Sequence, residues 1–71
     1  MKGEQLEKPG VGSPWIHTNG NRYTVLMLTN EHTEHPDRYP VTVVYKGENG
    51  RIWSKSLADW YQSMTPELSQ G

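Results

Sequence analysis

Two Asn-Gly dipeptides, Asn19-Gly20 and Asn49-Gly50, do most to limit what this chain can fold into. Asn-Gly is favoured in tight two-residue β-hairpin turns of type I′, because both central residues need φ > 0. Each dipeptide is flanked by short runs rich in Val, Ile, Thr, Tyr and Trp, the side chains that suit a pleated, half-buried surface. Two strand–turn–strand units are therefore expected, and the natural product is an antiparallel meander.

The runs set the strand boundaries. Trp15 to His17 is a first short strand, and Arg22 to Thr29 a second. Alternation along the second puts Tyr23, Val25 and Met27 on one face and Thr24, Leu26 and Leu28 on the other. Apolar residues on both faces predict a strand that is central or covered on both sides. Asn30 to Tyr39 is a polar loop, Asn-Glu-His-Thr-Glu-His-Pro-Asp-Arg-Tyr. After Pro40, Val41 to Lys46 is a third strand with Val41, Val43 and Tyr45 on one face. Gly47-Glu48-Asn49-Gly50 is the second hairpin turn. Arg51 to Lys55 is a fourth strand, in which Ile52 and Trp53 point to opposite faces and one must lie outside the core. Ser56-Leu57-Ala58-Asp59 has the form of a helix N-cap with an acid three residues on. One helical turn follows, and Tyr61 to Met64 forms a short last strand. Trp60 and Tyr61 can both be buried only if the chain is helical there.

Four strands, a helical turn and a fifth strand is the order of a small SH3-like barrel, whose closure removes exposed sheet edges. The alternative is an open sheet of three or four strands with a short helix packed on one face, which would dimerise to cover its apolar side. The domain is expected over residues 15–64. The polar, Pro- and Gly-interrupted segments 1–14 and 65–71 read as flexible tails that cannot offset their ordering entropy by burial.

Composition narrows the function classes. There is no Cys, so disulfides and thiolate metal sites are excluded. No apolar run approaches the roughly 20 residues that span a bilayer, and Met1 to Gln5 opens without the apolar stretch of a signal peptide. A cytoplasmic protein with no membrane partner is expected. Seven Lys and Arg face eight Asp and Glu, interspersed along the chain. Nucleic-acid binding draws on a concentrated basic footprint, so that function is not favoured, although Arg22, Arg38, Lys46, Arg51 and Lys55 could line one face of a barrel that stacks single-stranded bases.

The run from Asn19 to Leu26, His32-Thr33-Glu34, Val43-Val44-Tyr45, and Gly50 to Leu57 together resemble a family of small bacterial and phage or prophage domains of unknown function, with the approximate pattern G-N-x-Y-x-V-L, H-T/S-E, V-V-Y, G-x-x-W-x-R-P-L. The resemblance covers nearly the whole expected domain. Lys55-Ser56 stands where that family tends to have Arg-Pro, and Pro36 to Pro40 extends the loop. The resemblance implies an SH3-like sheet and a phage or prophage setting, and no established activity.

The chemistry-bearing residues do not compose an active site. His32 and His35 have the His-x-x-His spacing that can present two imidazoles to Zn²⁺, but no helix or hairpin preorganises them. A polar connector in which His32 or Thr33 bonds the backbone is the simpler reading. No nucleophile–base–orienter set and no phosphate-binding glycine loop is present. No enzyme activity, cofactor or metal is expected. The aromatics are dense: three Trp and four Tyr with no Phe. Tyr23, Tyr45 and one or two Trp should fill the core. The remainder could form a recognition surface of the kind that grips polyproline II ligands. The candidate binding residues are Trp15, Tyr39, Trp53, Trp60 and Tyr61, with His32 and Arg38 from the loop. The expected partner is a host or phage protein; the alternatives are single-stranded nucleic acid, or a homodimer through a spare face of Leu26 and Leu28.

Overall fold

The computed structural model describes residues 8–67; residues 1–7 and 68–71, the outer parts of the two expected tails, lie outside the described residues. The element order is β1 (Pro14–His17), β2 (Arg22–Thr29), β3 (Thr42–Gly47), β4 (Ile52–Ser56), α1 (Leu57–Ser63) and β5 (Met64–Pro66). All strands pair antiparallel in one five-stranded sheet of order β4-β3-β2-β1-β5. The mainly β architecture, the number of strands and the single helix before the last strand are as expected. The sheet is not closed: β4 and β5 are its two edges, with no ladder between them among the described residues.

Both hairpins turn at their Asn-Gly dipeptides, but not as type I′ turns. Each is a three-residue loop. His17 N–H donates to Asn21 O at 2.9 Å and Gly20 N–H to His17 O at 2.8 Å; Gly47 N–H donates to Arg51 O at 2.9 Å and Gly50 N–H to Gly47 O at 3.0 Å. Only the glycine of each pair has positive φ, 92° at Gly20 and 85° at Gly50. This is a type I turn followed by a left-handed glycine. The asparagine instead uses its side chain, Asn19 Oδ1 accepting from Asn21 N–H and Asn49 Oδ1 from Arg51 N–H, both at 2.9 Å. One local device therefore makes both turns.

The faces of β2 differ from simple alternation. Val25 pairs with Tyr45 and Met27 with Val44, so Leu26 is an extra residue in a β-bulge. Beyond the bulge the phase flips. Leu28 packs on the core, while Met27 is exposed. The strand is central, as expected, and its apolar residues on both faces come from this phase change.

The helix is longer than one turn and displaces the last strand from Tyr61–Met64 to Met64–Pro66. Ser56 caps it, its Oγ accepting from Asp59 N–H at 3.2 Å. Leu57, Trp60, Tyr61 and Met64 stand at i, i+3, i+4 and i+7, one apolar helical face, and all four belong to or pack on the core. The core is Trp15, Val25, Val43, Tyr45, Trp60 and Met64. Trp60, fully buried, meets Trp15 edge-on at 5.3 Å and Tyr45 at 4.9 Å between ring centroids.

Parts of the expected tails join the fold. Gly12 N–H donates to Val25 O at 2.7 Å and Val25 N–H to Ser13 O at 3.0 Å, extending β1 backward. Pro9 is buried. Glu67 N–H donates to Pro14 O at 3.0 Å. A polar composition limits side-chain burial but does not prevent backbone pairing with a waiting edge.

Candidate binding surface

The candidate residues named from the sequence separate into the core and three surface regions. Trp15 and Trp60 are core residues, although Trp15 also presents an edge to a groove of about 390 Å³ between β1, β5 and the segment before β1. Tyr61, half-buried, lines that same groove, with Pro9, Pro14, Met64 and Pro66. The Trp15 indole N–H is held by Ser13 Oγ at 3.0 Å, and Ser13 in turn donates to Gly10 O. This groove brings together two of the residues named from the sequence.

His32 and Tyr39 line a shallow depression with Leu28, Asn30, Glu31 and Thr33, and Arg38 is exposed on the same loop. The loop is tied down locally. Asn30, with φ of 62°, donates from Nδ2 to Pro40 O at 3.0 Å, bracing the two ends together. Thr33 Oγ1 accepts from His35 N–H at 3.0 Å, and His35 O accepts from both Arg38 N–H and Tyr39 N–H. Thr33, one of the two residues anticipated for this role, organises the turn. No three His, Cys, Asp or Glu side chains are grouped to hold a metal ion among the described residues, and no helix there is long and apolar enough to cross a membrane.

The third region is built on the edge strand β4. Trp53 is 48% exposed and Ile52 62%. Sequence reasoning placed one of them outside the core; both are outside. Trp53 pairs with Tyr45 across β3 and Ile52 with Lys46, so they lie on opposite faces of the sheet. Beside Trp53 is a depression of about 340 Å³ lined by Arg22, Tyr23, Gly47 and the Asn21 and Asn49 turns. Gly47 makes it possible: a Cβ there would stand 3.1 Å from Tyr23 Cε1. The ring of Tyr23 lies over this bare backbone and meets Tyr45 edge-on at 5.2 Å. Burial, and next the neighbouring Tyr23 phenol, hold the Tyr45 hydroxyl above the ordinary tyrosine value of 10.0.

The strand β4 itself carries cations, while Glu48 of the adjoining turn also lines the depression beside Trp53. Arg51, Trp53 and Lys55 alternate along one face, and Lys46 lies beside Ile52 on the other. The ion pairs among the described residues are Lys8–Glu31 at 3.6 Å and Arg22–Glu67 at 3.5 Å. They leave Lys46, Arg51 and Lys55 without an acid. Lys55 Nζ donates to Ser63 Oγ at 3.0 Å, tying β4 to the end of α1.

Ile52, Tyr23 and Gly47 were not among the candidate binding residues named from the sequence. A signal for Ile52 was present: the run Arg51 to Lys55 carries one large apolar residue per face, whereas Val43 and Tyr45 give β3 a continuous apolar face. That contrast marks an edge. No protein-family model, curated protein or solved structure matches this chain.

Proposed function

We propose that the protein is a small non-enzymatic module, of phage or prophage origin and cytoplasmic, that binds a host or phage protein through an exposed aromatic surface. The observation that carries this reading is the division of the tryptophans. Trp15 and Trp60 are absorbed by the core, while Trp53 stands half-exposed on an edge strand beside the Tyr23–Gly47 depression. A large aromatic held open to solvent on a rigid sheet is the typical anchor of a protein interface.

The scaffold we propose is a partly open SH3-like barrel. Three features support it: the meander order with β5 returned beside β1, the bulge in β2 that strengthens its twist, and α1 lying between the edges, bonded to β4 through Lys55 and continuous with β5. The resemblance to small phage and bacterial domains supports the setting.

The test is retention of a partner from lysates of infected and uninfected bacteria on immobilised protein. A protein held by the wild type and lost with Trp53→Ala, at unchanged thermal stability, is expected. Failure to retain any protein specifically, or retention indifferent to Trp53→Ala, refutes the reading. A second reading, single-stranded nucleic-acid stacking, is favoured by one observation: cations flank the exposed Trp53 on its own face.

A further inference from the structure

The two edges of the sheet are not equivalent, and their backbone groups distinguish them. In an antiparallel ladder, residues alternate between pointing their N–H and C=O toward the neighbour and away from it. On β5 the bonds Thr18 N–H to Ser63 O and Glu67 N–H to Pro14 O fix the phase, so Met64 and Pro66 face outward. Neither offers a donor. Pro66 has no N–H, and Met64 N–H bonds Trp60 O as the helix cap. That edge is blunted in the manner of protected natural edges.

On β4 the bonds Gly47 N–H to Arg51 O and Leu57 N–H to Val41 O fix the phase at both ends. The outward residues are therefore Ile52, Ser54 and Ser56; Ser56 is the N-cap of α1, which leaves Ile52 and Ser54 as the two within the body of the strand. Both carry an N–H and a C=O, and no hydrogen bond covers them among the described residues. The edge is also flanked by Ile52 and Trp53, its two most exposed large apolar side chains.

We propose that β4 is a docking edge for β-strand addition, and that its occupant is an extended segment of a partner protein with an acid–x–apolar–x–acid pattern. This rests on the binding reading above and specifies its partner. The acids answer Arg51 and Lys55, the apolar residue between them packs on Trp53, and the intervening positions face Ile52 and Ser54. The charged residues along the strand run are Arg51 and Lys55; Asp59 lies in α1, and Glu48, which also lines the depression beside Trp53, lies in the preceding turn rather than on the edge. A second copy of the chain fits less well. Pairing two β4 strands about Trp53, which bonds Ile52 of each copy to Ser54 of the other, sets Arg51 against Lys55 of the other copy twice, and like charges directly opposite destabilise a pair. The overall formal charge of −1 argues against a polyanion such as nucleic acid.

The test is amide NMR of the full chain titrated with the capped peptide GETVVEG, its lysine counterpart GKTVVKG, and an oligothymidine. With the acidic peptide, saturable shifts centred on the Ile52 and Ser54 amides and slowed hydrogen exchange there are expected. Binding of the lysine peptide should be roughly tenfold weaker, from the exchange of two cross-strand attractions for repulsions. Ser54→Pro deletes an outward N–H without touching the β3 ladder and should abolish the shifts. Should that variant fail to fold, Arg51→Glu leaves the backbone unchanged and should narrow or reverse the preference between the two peptides. Equal binding of both peptides, shifts confined to the Trp15–Tyr61 groove, or tighter binding of oligothymidine at the same amides would each overturn the proposal. So would protection of Ile52 and Ser54 that grows with protein concentration alone, which identifies a second copy. A lysate partner lost with Trp53→Ala but kept with Ser54→Pro would sink strand addition and leave the binding module standing.

Discussion

Trp60 is the residue on which the fold most depends, and its two halves can be tested separately. Its ring is fully buried and meets Trp15 and Tyr45 edge-on, yet its indole N–H has no hydrogen-bond partner among the described residues. Trp60→Ala should cost about 3–5 kcal/mol through lost burial and the cavity left behind. A domain of this size has only about 3–9 kcal/mol in total, so that variant should be largely unfolded or melt at least about 12 °C lower, at about 4–8 °C per kcal/mol. Trp60→Phe keeps an aromatic ring against both neighbours. It forfeits about 1–2 kcal/mol of buried surface, but it also removes an unsatisfied donor whose burial costs about 1–3 kcal/mol. The two effects nearly cancel, and a net loss below about 1 kcal/mol is expected from those magnitudes. Urea unfolding followed by far-UV circular dichroism is the suitable assay, because tryptophan fluorescence would change with the substitution itself. If Trp60→Phe destabilises as much as Trp60→Ala, the N–H has a partner, such as a buried water, and the argument fails. If Trp60→Ala costs under about 1 kcal/mol, the core does not assemble around this residue.

Other perturbations test the remaining elements. Gly50→Ala should destabilise by about 1 kcal/mol or more in the same urea assay, because a Cβ is strained at φ of 85° even though space around it is open. Ser56→Ala should lower stability by about 1 kcal/mol by freeing the Asp59 N–H, read by thermal melting. Deleting Leu26 should remove the bulge and leave Val25, Met27 and Leu28 paired in unbroken alternation with Tyr45, Val44 and Val43, so that Met27 stays outward and Leu28 stays on the core, seen as unchanged solvent protection of the two side chains by NMR. Tyr45 makes a pH prediction: the unfolded chain loses its phenolic proton near 10.0 while the folded chain still holds it. Its contribution is therefore complete below that pH and is lost as pH rises through the higher folded value. Tyr45→Phe should flatten this alkaline decline in a urea titration against pH.

Much of the sheet was legible because short-range chemistry specifies it. The Asn-Gly dipeptides located both hairpins, and Ser56 located the helix start. The turn type was not legible, since an asparagine can supply either a left-handed backbone or a side-chain acceptor, and here Asn19 and Asn49 do the latter. The phase of β2 was not legible either. A bulge leaves the composition of a strand unchanged and alters only which residues face the core. The helix was underestimated because the spacing of Leu57, Trp60, Tyr61 and Met64 lies in a segment whose second half also reads as a strand. Burial of Trp60 against β1 and β3 decides between them, and that is a tertiary effect. The candidate site shared this difficulty. Which of three tryptophans is exposed depends on strand order, and that order makes β4 an edge.

The same arrangement explains why one edge is left open. With no Phe and few aliphatic residues, the core is closed by α1, whose Trp60 packs between Trp15 and Tyr45. The helix begins as soon as β4 ends and runs directly into β5. β5 gains protection from this, because the helix cap takes its Met64 N–H and Pro66 supplies no donor. β4 gains none at Ile52 and Ser54, since its tie to α1 runs through the Lys55 side chain. Exposed edges are usually guarded by proline, by a bulge or by a covering element. β4 has none of these, carries two exposed large apolar residues, and has cations at either end of its Trp53 face. Those cations oppose self-pairing about Trp53 while leaving the edge open to an acidic strand. Under the strand-addition proposal, the guard against aggregation and the selection of a partner reside in the same two residues, Arg51 and Lys55.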